Sequence, residues 1–265
     1  MEVDILTPVE KHNDIWVKRD DLFTVGNICG GKVRSCYQLM LKAISKGYKD
    51  FVSLGSNMSP QCEIISELCE LLNVHCYLFM PRRKKSSDIM QRIKNNKNTT
   101  VIDKLARGAF TNVLESRAEK FANANNYYYI PFGMEFEENV LTTMEQVKNI
   151  PQEVKRIVVP VGSGMSFCSI ARGLIKYNRT DIKLVGIQVG KDPEHIIRKY
   201  SNIFKIVPFK KDKCLIDYEI IKSKYNYDTE VKASIDDIVL DPIYEAKCAE
   251  YLQAGDLLWI VGKRI

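Results

Sequence analysis

Short apolar runs alternate along this chain with longer stretches whose apolar residues recur every three or four positions. The two spacings predict strands and helices in turn. Residues 14–19 read as a short strand, 32–46 as a helix stopped at Gly47, and Phe51–Leu54 as a buried strand. A helix then follows Pro60, with Ile64, Ile65, Leu68, Leu71 and Leu72 on its apolar side. Val74–Met80 is the next strand, helices are expected near 86–95 and 110–125, and Tyr127–Ile130 is a tyrosine-rich strand. A helix near 137–149 leads into the apolar strand Arg156–Val161, and a helix through Ile170, Ala171, Leu174 and Ile175 precedes the strand Lys183–Val189. Residues 190–235 read as loop-rich, Asp241–Glu245 opens a helix to about Ala254, and Leu257–Val261 closes the chain as a strand. Strands alternating with helices specify an α/β protein with open, mostly parallel twisted sheets flanked by helices.

Composition narrows the class. The chain has 265 residues, 45% of them hydrophobic and 27% charged, which suits a globular protein with a full core. No apolar run approaches the roughly 20 residues of a membrane helix. The start, Met1-Glu2-Val3-Asp4, lacks the layout of a signal peptide, so a cytoplasmic protein that does not engage a membrane is expected. The eight cysteines include no C-x-x-C pair, and Cys62 and Cys69 fall on one face of a predicted helix, as buried small hydrophobes would. The three histidines show no ligand spacing, and no metal site is expected. The net charge of +6 is mild; its basic runs, Arg82–Lys85 and Lys210–Lys213, read as solvated loops, with contact to nucleic acid as the lesser reading.

Candidate chemistry sits at strand-to-helix turns, where open α/β sheets bind ligands. Gly30-Gly31-Lys32-Val33-Arg34 places a lysine at the head of an apolar helix, behind glycines that let a bound group approach the backbone. Partly desolvated and beside Arg34, Lys32 would have a depressed pKa and serve as a nucleophile. Gly162-Ser163-Gly164-Met165-Ser166 offers successive amides, two hydroxyls and a helix N-terminus, a phosphate cradle in physical terms. It is neither a P-loop nor a full dinucleotide fingerprint. Alone, each stretch also fits a blander reading, a surface lysine and a tight turn. A lysine nucleophile, a phosphate cradle and no metal together point to pyridoxal 5'-phosphate.

The ordered set resembles the pyridoxal-phosphate enzymes of the tryptophan-synthase-β-like fold, and within them the branch of 1-aminocyclopropane-1-carboxylate deaminase and D-cysteine desulfhydrase. Val17-Lys18-Arg19-Asp20-Asp21-Leu22 is similar to that family's Lys-Arg-Glu/Asp-Asp segment, and Gly30–Arg34 to its Gly-Asn-Lys-Thr-Arg. Val52–Gly55 through Ser59-Pro60-Gln61 resembles the strand and loop ending in Ser-Asn-His. Asp241-Pro242-Ile243-Tyr244-Glu245-Ala246-Lys247 is close to Asp-Pro-Val-Tyr-Glu-Gly-Lys and is the most specific match. The chain departs at Pro60 and Gln61, where the family has Asn and His, and its end, Ile260–Arg264, is only faintly similar to His-Thr-Gly-Gly.

The resemblance implies a Schiff base at Lys32, phosphate contacts from Gly162, Ser163, Gly164, Met165 and Ser166, and Glu245 at the ring nitrogen. It gives Ser59 and Tyr244 work on the substrate, whereas by residue type alone Ser59 is a helix cap and Tyr244 a packed tyrosine. Asn57 stands in for the family Asn that Pro60 replaces. Two lobes are expected, residues 1–44 with 146–265 as the larger cofactor-binding lobe and 45–145 as the smaller, with the cofactor in the cleft between them. The function that follows is a lyase or deaminase acting as a homodimer on a small amino acid. Two alternatives remain: the same cofactor with an amino-acid-bearing nucleotide or nucleic acid as substrate, and a non-catalytic cofactor-binding protein.

Overall fold

The structure, a computed structural model, describes residues 5–56, 60–81, 88–103, 111–190 and 215–262. In chain order the elements are β1 (Val9–His12), β2 (Ile15–Arg19), β3 (Thr24–Val25), β4 (Ile28–Cys29), α1 (Gly31–Ser45), β5 (Asp50–Leu54), α2 (Pro60–Leu71) and β6 (His75–Phe79). There follow α3 (Asp88–Asn95), β7 (Thr99–Ile102), α4 (Thr111–Asn125), β8 (Tyr128–Tyr129), α5 (Glu137–Glu145), β9 (Arg156–Val161), α6 (Met165–Lys176) and β10 (Lys183–Gln188). The last are β11 (Tyr218–Lys222), β12 (Ser234–Ile235), β13 (Ile238–Val239) and β14 (Leu257–Ile260). The chain divides into two compact units. One takes the residues up to Phe23, Cys29–Gly31 and Glu137 onward; the other takes Thr24–Ile28 and Lys32–Phe136. Relative to the expected boundaries at 44 and 146, most of α1 groups with the second unit and α5 with the first.

The first unit is built on a six-stranded sheet in the order β1-β2-β14-β9-β10-β11, parallel except for the β1–β2 hairpin. Its strands are apolar on both faces, as a sheet covered on both sides requires. In β9, Ile157, Val159 and Val161 join a core with α6, Val140 and Val147, while Val158 faces the opposite core with Ile238, Leu240, Ala246 and Cys248. In β14, Leu257 and Trp259 go one way and Leu258 and Ile260 the other. Beyond the end of α6, the guanidinium of Arg179 is buried and donates to the carbonyls of Ile150 (3.0 Å), Pro151 (3.2 Å) and Val154 (3.0 Å), so one cation gathers three carbonyls of a turn whose own bond is Val154 to Pro151.

The second unit holds a four-stranded parallel sheet, β7-β6-β5-β8. Val52, Leu54 and Phe79 pack on Leu114, Ala118 and Ala122 of α4, and Tyr77 stacks on Tyr127 with ring centroids 5.2 Å apart. Pro60 opens α2, as its spacing predicted.

Several expected elements differ. The helix foreseen from Asp241 to Ala254 is a 3-10 helix, Glu245–Tyr251. Oδ1 of Asp241 accepts the amides of Ile243 (2.8 Å) and Tyr244 (3.0 Å) as a cap, and the Lys247 amide then bonds to the Tyr244 carbonyl three residues back (3.2 Å). The helix foreseen over 137–149 ends as α5 at Glu145 and continues as a 3-10 turn, Gln146–Asn149. Part of the stretch read as loop-rich is the edge strand β11, and residues 191–214 lie outside the described residues.

Arg179→Met keeps the apolar stem and removes the donors. It is expected to lower unfolding stability by about 2–4 kcal/mol, the scale of leaving several buried carbonyls without partners. Urea denaturation measures this, and an unchanged midpoint would show that the turn is held by other contacts.

Candidate functional site

Parallel strands present their carboxyl ends on one edge, and β9 and β14 are neighbours in the first unit's sheet. β9 runs into Gly162–Ser166. Gly164 has a φ of +85° and caps α6, which starts at Met165. Ser163 and Ser166 are half-buried there, with hydroxyls beside the amides that an α-helix leaves unbonded at its start. A side chain at Gly162 would stand 3.0 Å from Cε1 of Tyr244, so the Tyr244 ring lies directly against the loop.

β14 runs into Val261 and Gly262. The Val261 amide donates to Oε1 of Glu245 (2.8 Å), and the Val261 carbonyl accepts the Gly31 amide (3.0 Å). Gly30 has a φ of +114°, and a Cβ there would come within 2.9 Å of Gly262 Cα and 3.0 Å of the Val261 carbonyl oxygen. Only glycine fits, because both the backbone conformation and the space forbid a side chain. Lys32 follows Gly31 directly, half-buried as the second residue of α1. The phosphate-type loop, Tyr244, Glu245, Val261 and Gly31 thus form one continuous chain of contacts that ends at the residue before the lysine.

Glu245 is fully buried, and its Oε2 has no hydrogen-bond partner among the described residues. Burial raises its pKa well above the ordinary carboxyl value and nearby Asp241 adds to the shift, against a smaller lowering by the Val261 amide. A buried carboxyl oxygen without a hydrogen-bond partner is matched by a ligand donor. The protonated nitrogen of a pyridine ring is such a donor. The residues present therefore fit pyridoxal phosphate.

The matching family model decides the matter: a pyridoxal-phosphate-dependent enzyme, over residues 2–209. The chain belongs to that family. It is 24% identical over 283 residues to the Arabidopsis thaliana bifunctional D-cysteine desulfhydrase/1-aminocyclopropane-1-carboxylate deaminase, covering 92% of this chain and 69% of the relative. The solved structure of an ACC deaminase homologue matches with a TM-score of 0.78 at 22% identity, over 99% of this chain and 91% of that one. Threonine deaminase isoform 2 from Solanum lycopersicum matches at 0.63 and 13%, over 98% and 84%. Both likenesses show the shared fold, in agreement with the expected α/β class.

Other residues singled out in the sequence separate into groups. Lys18 is buried and donates to the carbonyl of Thr7 (2.8 Å) and to Asn149 (2.7 Å), while Asp20 accepts from Thr7 (2.7 Å) and from Trp259 (3.1 Å). That first motif anchors β2 and β14. Gln61 donates to Ser53 (3.1 Å) and the Pro131 carbonyl (2.9 Å) and accepts from Gly133 (2.8 Å), which makes it a buried brace of the second unit. Asn57, Ser59 and both basic runs lie outside the described residues. Two features escaped the sequence reading. Tyr227 places its hydroxyl 3.0 Å from that of Tyr244, and the Val261 main chain joins Glu245 to Gly31. Tyr227 stands in no motif and in an irregular segment, so nothing in its neighbours marked it.

An acid whose pKa is higher in the folded than in the unfolded chain keeps its proton on folding, so stability falls as pH rises above the unfolded value. For cofactor-free protein the Glu245 contribution should therefore be lost progressively from about pH 4.5 upward, at up to about 1.4 kcal/mol per pH unit. The difference in urea midpoint between cofactor-free wild type and Glu245→Gln should grow with pH across that window, with Gln the more stable at neutral pH. A difference independent of pH would show that Glu245 titrates normally.

Proposed function

We propose that this chain is a lyase or deaminase of small amino acids, in the manner of the deaminase and desulfhydrase it is similar to. The observation that carries the reading is the buried Glu245 with its unpartnered oxygen, set behind Tyr244 and tied through Val261 to the residue before Lys32. In this reading Lys32 forms the Schiff base, the loop Gly162–Ser166 holds the phosphate, and Glu245 faces the ring nitrogen. When bound, the cofactor supplies an electron sink for bonds broken at the carbon that carries the substrate's amino group.

The protein residues do the remaining work. Glu245 in its dry site favours a protonated ring nitrogen through a charge-assisted hydrogen bond, which keeps that sink strong. Lys32, at the start of α1, would hold the cofactor and supply an amine that can act as a base toward the substrate. Tyr244, its ring fixed on Gly162, offers a hydroxyl for proton transfer or attack on the substrate, with Ser59 as the second hydroxyl. The resemblance gives the ring-oxygen contact to Asn57, which lies outside the described residues. The enzyme acts in the cytoplasm, to which its seven free cysteines among the described residues are suited, and as a homodimer, which light scattering checks.

The purified protein should be yellow, or become so on addition of cofactor, and borohydride reduction followed by peptide mapping should find the label on Lys32. It should release ammonia from 1-aminocyclopropane-1-carboxylate or hydrogen sulfide from D-cysteine. Protein that stays colourless with excess cofactor would end this reading. Glu245→Gln should retain cofactor and colour but turn over at least about a hundredfold more slowly, the scale of one lost electrostatic stabiliser. Normal turnover by that variant would remove Glu245 from the mechanism.

A further inference from the structure

Lys247 lies two residues beyond Glu245 in the 3-10 helix and is fully buried. Withdrawing an ammonium group from water costs several kcal/mol unless its hydrogen-bonding capacity is met inside. Its Nζ donates to the main-chain carbonyls of Asn226 (2.8 Å) and Tyr227 (2.9 Å). These belong to the irregular segment between β11 and β12, whose main chain is tied to other elements at its ends, Ser223 to Gln188 and Val231 and Ala233 to Pro242 and Leu240, with Thr229 to Asn226 as its one internal main-chain bond among the described residues.

That segment carries Tyr227, whose side chain is not held by packing, since the residue is 44% exposed. Its position is nevertheless defined. Its ring meets that of Tyr244 edge-on at 6.2 Å and 85°, and the two hydroxyls are 3.0 Å apart. Tyr244 is fixed from its other sides by the Gly162 backbone and the Asp241 cap. A hydroxyl bonded to a phenol oxygen changes how that phenol holds its proton in either sense: as donor it favours the deprotonated phenol, and as acceptor it holds the phenol's proton. The geometry of Tyr227 therefore bears directly on how readily Tyr244 gives up a proton.

We propose that Lys247 is a positioning residue for Tyr244, acting through Tyr227: its ammonium pins the 226–227 main chain and so holds one tyrosine hydroxyl on the other. The proposal rests on the assignment of Tyr244 to the substrate's chemistry. A purely structural lysine would contribute to stability and leave the tyrosine pair undisturbed.

The test uses full-length, cofactor-loaded protein carrying tyrosine labelled with carbon-13 at the ring carbon that bears the hydroxyl. Tyr244→Phe and Tyr227→Phe assign the two resonances. Lys247→Met, close in volume but unable to donate, should move the Tyr244 resonance in the direction that Tyr227→Phe moves it, and the double variant should move it no further. On an amino acid that the wild type turns over, Lys247→Met should lower kcat about tenfold, the scale of one hydrogen bond, with cofactor Kd and substrate KM within about threefold. The kcat losses of Lys247→Met and Tyr227→Phe should not multiply in the double variant. If Lys247→Met does not fold, Lys247→Gln, whose short neutral stem cannot span both carbonyls, gives the same comparison. A folded variant with an unmoved Tyr244 resonance, or losses that multiply, overturns the proposal. Wild-type protein that turns over no amino acid refutes the functional reading, and the resonances then decide the positioning claim by themselves.

Discussion

A carboxyl group without water, with one oxygen bonded and the other unsatisfied, is among the costlier arrangements a fold can contain. Glu245 is in that position, and the motif around it accounts for how the chain sustains it. Asp241 turns its side chain onto the amides of Ile243 and Tyr244 and so caps the chain ahead of the 3-10 helix that begins at Glu245. The Val261 amide satisfies Oε1. Nothing among the described residues satisfies Oε2, and Asp241 nearby makes ionisation harder still. A site that only needed stability would do better with an apolar residue there, and the proposed function is what supplies this oxygen with a donor.

Val261 extends this constraint to the rest of the site. Its amide fixes the Glu245 carboxyl and its carbonyl fixes the Gly31 amide, so one residue at the exit of β14 holds both contacts through its two adjoining peptide groups. The sheet makes this possible. β14 and β9 are parallel neighbours, so their carboxyl ends emerge side by side, one into Val261 and the other into the Gly162 loop. Tyr244 touches Gly162, which closes the circuit from phosphate loop to carboxyl. The absent side chains at Gly30 and Gly162 matter as much as those present, because a Cβ would press on the Val261–Gly262 backbone at the first position and on the Tyr244 ring at the second.

Much of this was legible in the sequence because it rests on local spacing. The apolar runs of β5, β6, β9, β10 and β14, the proline start of α2 and the glycine turns are local signals, and the family motifs bring Lys32, Gly162–Ser166 and Tyr244–Glu245 into view. What escaped depends on partners distant along the chain. β1, with a single apolar residue in Val9–His12, is a strand because Asn13, at φ +51°, turns it back on β2. β11 is an edge strand whose charges face solvent, which blurs any period. The Asp241 start was misread as α-helical because an Asx cap and an N-cap use the same residue types. Tyr227 and Val261 act through one hydroxyl and one stretch of main chain, and neither leaves a pattern in residue type.

The departure at Pro60-Gln61 has a physical reading of its own. In the resembled family this loop ends in Asn-His, and an imidazole titrates near neutrality, whereas a primary amide never does. The structure shows what the amide does instead. Its nitrogen donates to Ser53 and to the Pro131 carbonyl, and its oxygen accepts the Gly133 amide, so the three bonds use both ends of the group. Gln61 is buried at the start of α2 and spent on the architecture of its own unit. Position 61 therefore has neither the chemistry nor the freedom to carry a proton in this chain.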